Sequence, residues 1–350
     1  MVKDLEMLYG SDAVSYQKAR YEGAVNKFRA LYPSDNDIRI FSASGRTEIG
    51  GNHTDHQNGC VLAAAVNLDI IGVISLRDDK TIYLMSEGYD PITMDISDLS
   101  QNPSDHPTAA MIRGVMAKFD EMGCALTGFD AYCTSNIPSG GGVSSSAALQ
   151  TLIGTICNAL FNENRADAVE IAKIGQFAEN VYLGKNSGLM DQTASSVGGL
   201  VAIDFEDCEN PKIRNFDFDF EKAGYALCIT DTKGSHADLT ADYDAIRDEM
   251  EQVAAHIGKT CLRAVDEDAI NDAIPELSKK LSPRALLRAM HFFGDNRRAI
   301  EEAEVLENGD IHNFLALVNE SGYSSQNLLQ NLYSTSFPEK QELSLAIEVS

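Results

Sequence analysis

Basic residues are scarce in this chain: 28 lysines and arginines stand against 53 aspartates and glutamates, a formal net charge of −25 over 350 residues. Such a field repels nucleic acid and anionic membrane surfaces, so neither is expected as a partner. No run approaches 18 uninterrupted apolar residues, and the opening Met1-Val2-Lys3-Asp4-Leu5-Glu6 has no apolar segment behind a basic start. A membrane span and a secretory signal are therefore not expected. The seven cysteines, at 60, 124, 133, 157, 208, 228 and 261, form no Cys-x-x-Cys pair and fall mostly inside apolar runs. That pattern argues against a disulfide framework and for a reducing, cytoplasmic setting. There is no internal repeat and no low-complexity segment.

Two further absences bear on the most conspicuous stretch, Gly140-Gly141-Gly142-Val143-Ser144-Ser145-Ser146. No lysine follows its glycines, which excludes a Walker-type loop, and it lacks the Gly-x-Ser-x-Gly pattern of a hydrolase nucleophile elbow. What it has is a glycine loop feeding an apolar helix, with Leu149, Leu152, Ile153, Ile156, Leu160 and Phe161 in the run that follows. Unpaired N–H groups and the positive end of a helix dipole invite an anion there. On its own the loop leaves a phosphate cradle and an ordinary connection both open. A phosphate bound to so acidic a chain implies a divalent cation, Mg²⁺, to offset the global field.

The 350 residues suffice for two domains with separate cores. Residues 13–32 read as an amphipathic helix closed by Pro33, and 38–43 as a strand. Strand-like runs follow at 61–66, 69–76 and 81–86, a helix at 109–122, a strand at 128–134, then the glycine loop and its helix. A second helix covers 166–183, with strands at 199–205 and 225–230. Mainly helical pattern then fills 238–257, 283–304, 310–331 and 338 onward. Hairpins mixed with crossovers predict an α+β fold with mixed sheets and flanking helices, not a doubly wound parallel sheet. The acidic, apolar-poor piece 207–215 suggests a division into domains 1–206 and 207–350, with the active site in the cleft between them.

Between strand-like runs, Ser44-Gly45-Arg46-Thr47-Glu48-Ile49-Gly50-Gly51-Asn52-His53-Thr54-Asp55-His56-Gln57-Asn58-Gly59 gathers glycine, one arginine, two histidines and acids in a short span. With Pro138–Leu149 and Ser187-Gly188-Leu189-Met190-Asp191-Gln192 it makes three islands. Together they resemble the galactokinase branch of the kinase family that also holds homoserine, mevalonate and phosphomevalonate kinases. The first island resembles a signature in which Gly-Arg precedes Ile-Gly-Glu-His-Thr-Asp, the second the family's Pro-x-Gly-x-Gly-Leu-Ser-Ser-Ser-Ala phosphate loop, and the third its Gly-Ile-Met-Asp-Gln.

The resemblance implies ATP and Mg²⁺ as partners of a small sugar, phosphorylated at its anomeric hydroxyl. It implies Asp191 as the base and Arg46 beside it, stabilising charge on the transferred phosphoryl group; a plain ion pair between the two is the alternative. Gly140, Gly141, Gly142, Val143, Ser144, Ser145 and Ser146 would wrap the nucleotide's phosphates, with Ser86 near the nucleotide. Ser146 and Glu179 would be the magnesium ligands. Asn52, His53, Asp55, Gly188 and Tyr243 would line the sugar, although a packed helix tyrosine is equally open for Tyr243. A His53/His56 metal site finds no third ligand at a zinc spacing.

The chain departs from the family pattern at two points. Asn52 stands where the signature has glutamate, which suggests that galacturonate or another galactose-like sugar is accepted. The family's third glycine-rich motif has no counterpart after residue 250, from which a truncated chain is expected. A non-catalytic galactose and ATP sensor is the competing class of function; the retained Arg46, Asp191 and Ser144–Ser146 speak for catalysis.

Overall fold

A long strand, β1 (Arg39–Gly50), passes through the His53 segment into a longer one, β2 (Cys60–Leu76). The sequence predicts two strands at 61–66 and 69–76. They are one, because β1 pairs antiparallel along its length, from Arg39 opposite Ile74 to Gly50 opposite Leu62, with Asp69 opposite Ser44 and Asn67 taken up in the register shift beside it. The other edge of β2 is shared. Its C-terminal half pairs with β5 (Phe129–Ser135), reached after β3 (Thr81–Ser86) and β4 (Ile92–Asp95), and its N-terminal half with β6 (Leu200–Asp204). β7 (Lys212–Phe216) continues the sheet beyond β6, and β3 runs parallel to β5. The result is a mixed seven-stranded sheet of order β4-β3-β5-β2-β6-β7, with β1 on β2. This computed structural model describes residues 5–33, 37–138, 140–185, 187–230, 232 and 239–349.

The helices before the sheet are α1 (Leu5–Tyr9) and α2 (Val14–Leu31); those within it are α3 (Pro107–Glu121), α4 (Ser145–Phe161), α5 (Ala168–Phe177) and α6 (Met190–Val197). Beyond it lie α7 (Thr240–His256), α8 (Glu267–Leu277), α9 (Pro283–Glu307), α10 (Ile311–Ser324) and α11 (Glu342–Val349). Alternation within each half of β2, with its parity reset at the register shift opposite Ser44 and Arg46, sorts them into layers. Val61 and Ala63 face α5 and α6, and Ile70 and Ile74 face α3 and α4, so these four helices cover one side. On the other side Ile71 and Val73 meet α2, while Leu62 and Ala64 meet Ala303, Leu306 and Phe314 of α9 and α10. α9 also belongs to a helical core with α7 and α8, built on Met250, Val253, Ile270, Ala289 and Phe292.

This agrees with the α+β expectation. One further detail differs from the sequence reading. Residues 225–230 form no strand: Tyr225, Leu227 and Ile229 are exposed, and alternation without a pairing neighbour does not make a sheet. The predicted 206/207 division falls in the connection between the paired strands β6 and β7. Among the described residues no helix is long and apolar enough to cross a membrane.

Candidate active site

The register of β1 and β2 shifts between Ser44 and Arg46, and Gly45 sits in the shift. A Cβ at Gly45 would lie 2.6 Å from the carbonyl oxygen of Val143, so only glycine lets the glycine loop rest on β1. Arg46 then holds the loop: its backbone N–H donates to Val143 O at 3.2 Å and its Nη1 to Gly142 O at 2.6 Å. The rest of the guanidinium turns to Asp191 on the first turn of α6, with Nε and Nη2 2.8 and 2.7 Å from Oδ1.

Ser144 completes the group. Its backbone lies in the left-handed region, at φ 51°, which costs a non-glycine residue energy and marks a position held by its surroundings. The hydroxyl that would otherwise cap α4 instead donates to Oδ2 of Asp191. The first turn of α4 is thus left without a side-chain cap, its N–H groups directed at the glycine loop. Burial works against the charge on Arg46, but the carboxylates of Asp191, Glu48 and Asp55 outweigh it and hold the guanidinium above its ordinary pKa. Asp191 is the more open partner, with 31% of its side chain exposed against 12% for Arg46, so the carboxylate is the more accessible group of the pair.

Beside this pair lie the residues of the His53 segment. Asp55 accepts backbone N–H bonds from His56 and from Met190 at the start of α6, which ties it to the helix carrying Asp191. Gly188 closes over it: a Cβ there would stand 1.8 Å from Asp55 Oδ2. Burial, and then the neighbouring charge of Asp191, raises the pKa of Asp55. His53 is left-handed at φ 59°, and its ring centre is 5.7 Å from that of Tyr243 on α7. Burial lowers its pKa to about 3, so the ring is neutral at pH 7.

Asn52 is held from the far side of the cleft. Its N–H donates to Asp295 Oδ2 at 2.7 Å, its carbonyl meets His291 Nε2 at 2.8 Å, and its side-chain Nδ2 donates to Ser325 Oγ at 2.8 Å.

Glu179 lies in a π-helical turn, Ala178–Tyr182, that continues α5; its carboxylate is bonded by Lys185 Nζ at 3.0 Å and Gln192 Nε2 at 2.9 Å. Gln192 also bonds Gln150, one turn beyond Ser146 on α4, so Glu179 and Ser146 belong to the same corner. Ser86 ends β3 beside Cys133 of β5, the strand that leads to the glycine loop, but among the described residues none of its hydrogen bonds reaches the loop. A cleft of about 520 Å³ lies between Gly140–Gly142 on one side and Tyr243, Arg284, Arg288 and Tyr333 on the other, within the usual size of a small-ligand site.

Sequence reasoning missed the contribution of α9. His291, Asp295 and Glu302 are fully buried along that helix, against Asn52 and Gly50, and Arg288 is nearly buried against Glu249 of α7 and the carbonyl of Leu329. Their only signal in the sequence is a polar residue recurring at roughly helical intervals. Glu302 is packed against Gly50, where a Cβ would come within 1.6 Å of Oε2, and neither of its oxygens has a partner among the described residues. Glu48 Oε1 is likewise unpartnered. Burial pushes Glu302 up to about 9 and Glu48 up to about 8, so both are protonated at pH 7.

In the unfolded chain these carboxyls titrate in the ordinary range. The folded protein therefore binds protons that the unfolded chain has lost, and stability falls as pH rises from about 4.5 through about 9. The slope is on the order of 1 kcal/mol per pH unit for each group. Urea midpoints measured from pH 6 to 9 are expected to decline, and Glu302→Gln to flatten the decline; an equal slope in that variant refutes the assignment.

Residues 26–76 match the galactokinase galactose-binding signature and residues 110–199 the GHMP kinases N-terminal domain. The galactokinase of Streptomyces coelicolor is 32% identical over 315 residues, 89% of this chain and 79% of the relative. The chain belongs to the galactokinase family. The galactokinase of Actinobacillus pleuropneumoniae is 33% identical over 82% of this chain and 74% of its own. In fold, the chain resembles Lactococcus lactis galactokinase complexed with galactose, with a TM-score of 0.77, 21% identity, and coverage of 88% of this chain and 80% of that one. It also resembles Streptococcus pneumoniae phosphomevalonate kinase in complex with phosphomevalonate and AMPPNP, at TM-score 0.58 and 12% identity over 85% and 82% of the two chains. The GHMP N-terminal match holds the glycine loop and Asp191, and the galactokinase signature holds Arg46 and the His53 segment.

Proposed function

We propose that the protein transfers the γ-phosphoryl group of ATP to the anomeric hydroxyl of galactose, giving galactose 1-phosphate and ADP. The observation that carries this reading is the junction of Arg46, Asp191 and Ser144 at the mouth of the glycine loop. Asp191 accepts the proton of the attacking hydroxyl through Oδ2, which now accepts from Ser144. Arg46 orients Asp191 and holds the glycine loop in place through Gly142, which suits a transfer that depends on positioning. Backbone N–H groups of residues 140–146 and the first turn of α4 take the phosphate charge. His53, Asp55 and Tyr243 orient the sugar.

Ser146 and Glu179 are the oxygen donors offered to Mg²⁺. Glu179 is buried, and Lys185, the group on its Oε1, has a half-exposed side chain free to swing out. No cluster of three or more acidic, histidine or cysteine groups that could hold a metal occurs among the described residues, which suits an ion bound by few protein ligands and by phosphate oxygens. When bound, Mg²⁺ supplies charge neutralisation on the transferring phosphates. A cytoplasmic location belongs to the same proposal, supported by seven unpaired cysteines.

The test is sugar-dependent ADP release by the purified protein across a panel of hexoses and uronic acids. Turnover of galactose is expected; tight galactose binding without ADP release overturns the kinase reading in favour of a sensor. No observation favours the uronic acid, since the Asn52 amide that would meet its carboxylate is engaged by Ser325. Gly188→Ala is expected to raise KM for galactose at least tenfold by driving a methyl group into Asp55, while the KM for ATP changes little. An unchanged galactose KM removes Asp55 from the sugar site.

A further inference from the structure

The wall of the cleft opposite the glycine loop has no use in the scheme above. Arg284 and Arg288 stand one turn apart on the same face of α9, and both line the cleft across from Gly140–Gly142. Their guanidiniums share one carboxylate, Glu249 of α7. Arg284 gives it Nε and Nη2, at 3.0 and 2.5 Å from Oε1. Arg288 gives it Nη1, at 3.0 Å from Oε2, and turns its Nε to the carbonyl of Leu329 at 3.0 Å. Nη1 of Arg284 and Nη2 of Arg288 are left without a partner among the described residues, and neither atom is enclosed by the surrounding protein. Arg288 is only 3% exposed, so the open edge of its guanidinium is the edge on the cleft. Burial outweighs Glu249 and holds its pKa below the ordinary arginine value, as for a buried cation with too little negative charge around it. Asp242, on the same wall, already accepts from Ser334 at 2.7 Å. An anion that enters with the ligand would complete the set.

The position within the cleft indicates which anion. On one wall, Gly142 is the residue whose carbonyl Arg46 holds beside Asp191. On the other, the ring of Tyr243 is 5.7 Å from that of His53, and the charge of Arg288 reaches His53 and adds to burial in lowering its pKa. The two arginines thus face the place where the glycine loop and the sugar residues converge. A planar guanidinium edge matches the oxygens of a phosphate group there.

We propose that Arg288 Nη2 and Arg284 Nη1 bind the terminal phosphate of ATP from the side opposite the glycine loop. The assignment rests on the galactose-kinase reading and adds a second, cationic wall to the phosphate site. The experiment is calorimetric titration of the full chain, unsubstituted and Arg288→Gln, with AMPPNP and with ADP in the presence of Mg²⁺, alongside galactose-dependent ADP release. Arg288→Gln is expected to weaken AMPPNP binding by roughly 10- to 100-fold and ADP binding by less than about threefold, because only the first carries the third phosphate. Equal weakening of both nucleotides, or of neither, overturns the contact and leaves the kinase reading intact while the unsubstituted protein still turns over galactose. Absence of galactose turnover by the unsubstituted protein overturns the kinase reading and this assignment with it. Should Arg288→Gln not fold, for want of its bonds to Glu249 and Leu329, Arg284→Gln supplies the same comparison at a side chain that is 34% exposed.

Discussion

Asp191→Asn is expected to lower kcat for galactose by roughly 10³-fold while leaving the KM for ATP within about threefold of its original value. The substitution keeps the shape of the side chain and removes its charge. One oxygen of Asp191 now accepts twice from Arg46, at 2.7 and 2.8 Å, and the other accepts from Ser144. An amide keeps its oxygen on Arg46 and donates an N–H to the Ser144 hydroxyl, reversing that bond, but it has no capacity to take the proton of the attacking hydroxyl. The glycine loop keeps its tie to β1 through the backbone N–H of Arg46, so nucleotide binding is spared. Initial rates with both substrates varied make the measurement, and retention of more than a tenth of kcat excludes Asp191 as the base. Arg46→Met should cost about 10²- to 10³-fold, since it removes a cation aimed at developing negative charge.

Asp295→Ala is expected to cost about 3–5 kcal/mol of stability, a large part of the roughly 5–15 kcal/mol that holds a typical domain folded. Asp295 is completely buried. Its Oδ2 accepts from the backbone of Asn52 at 2.7 Å and from Ser321 at 3.2 Å, and its Oδ1 accepts from Arg298 Nε at 2.9 Å. Truncation leaves the Arg298 charge, the Asn52 N–H and the Ser321 hydroxyl in a low-dielectric environment without their acceptor. Urea unfolding of the variant measures the loss; a cost below about 1 kcal/mol would mean that water enters and replaces the carboxylate. Because Asn52 leads directly into His53, variants that survive should also bind sugar more weakly.

The parts of the site carried by compact motifs are legible in the sequence. Arg46, the glycine loop and Asp191 sit in islands whose composition sets them apart from ordinary connections, and the structure brings all three together. The role of Ser144 is not legible, because a serine before a helix reads as a cap, and only its left-handed backbone turns the hydroxyl to Asp191. The buried stripe on α9 is hidden for a different reason. His291, Asp295 and Glu302 look like a solvated helix face, and what buries them is the arrival of Gly50 and Asn52 from more than 200 residues earlier in the chain. Fold class follows from the order of periodic runs, whereas the continuity of β2 and the absence of a strand at 225–230 depend on which neighbours are available to pair.

The shared edge of β2 has a consequence for the order of events during synthesis. β1 and β2 are adjacent in sequence and pair without waiting for the rest of the chain. Residues Ile70–Leu76 gain their second neighbour once Phe129–Ser135 has been made, but Cys60–Ala64 wait until Leu200–Asp204 emerges. Long-range pairing of this kind is slow and leaves strand edges exposed in the meantime. The half of β2 left open is the half next to the His53 segment, so a nascent chain that has already translated its glycine loop and Asp191 still presents an unpaired edge beside the sugar signature. The residues of the galactose-binding signature are therefore among the first made and among the last to be locked in place.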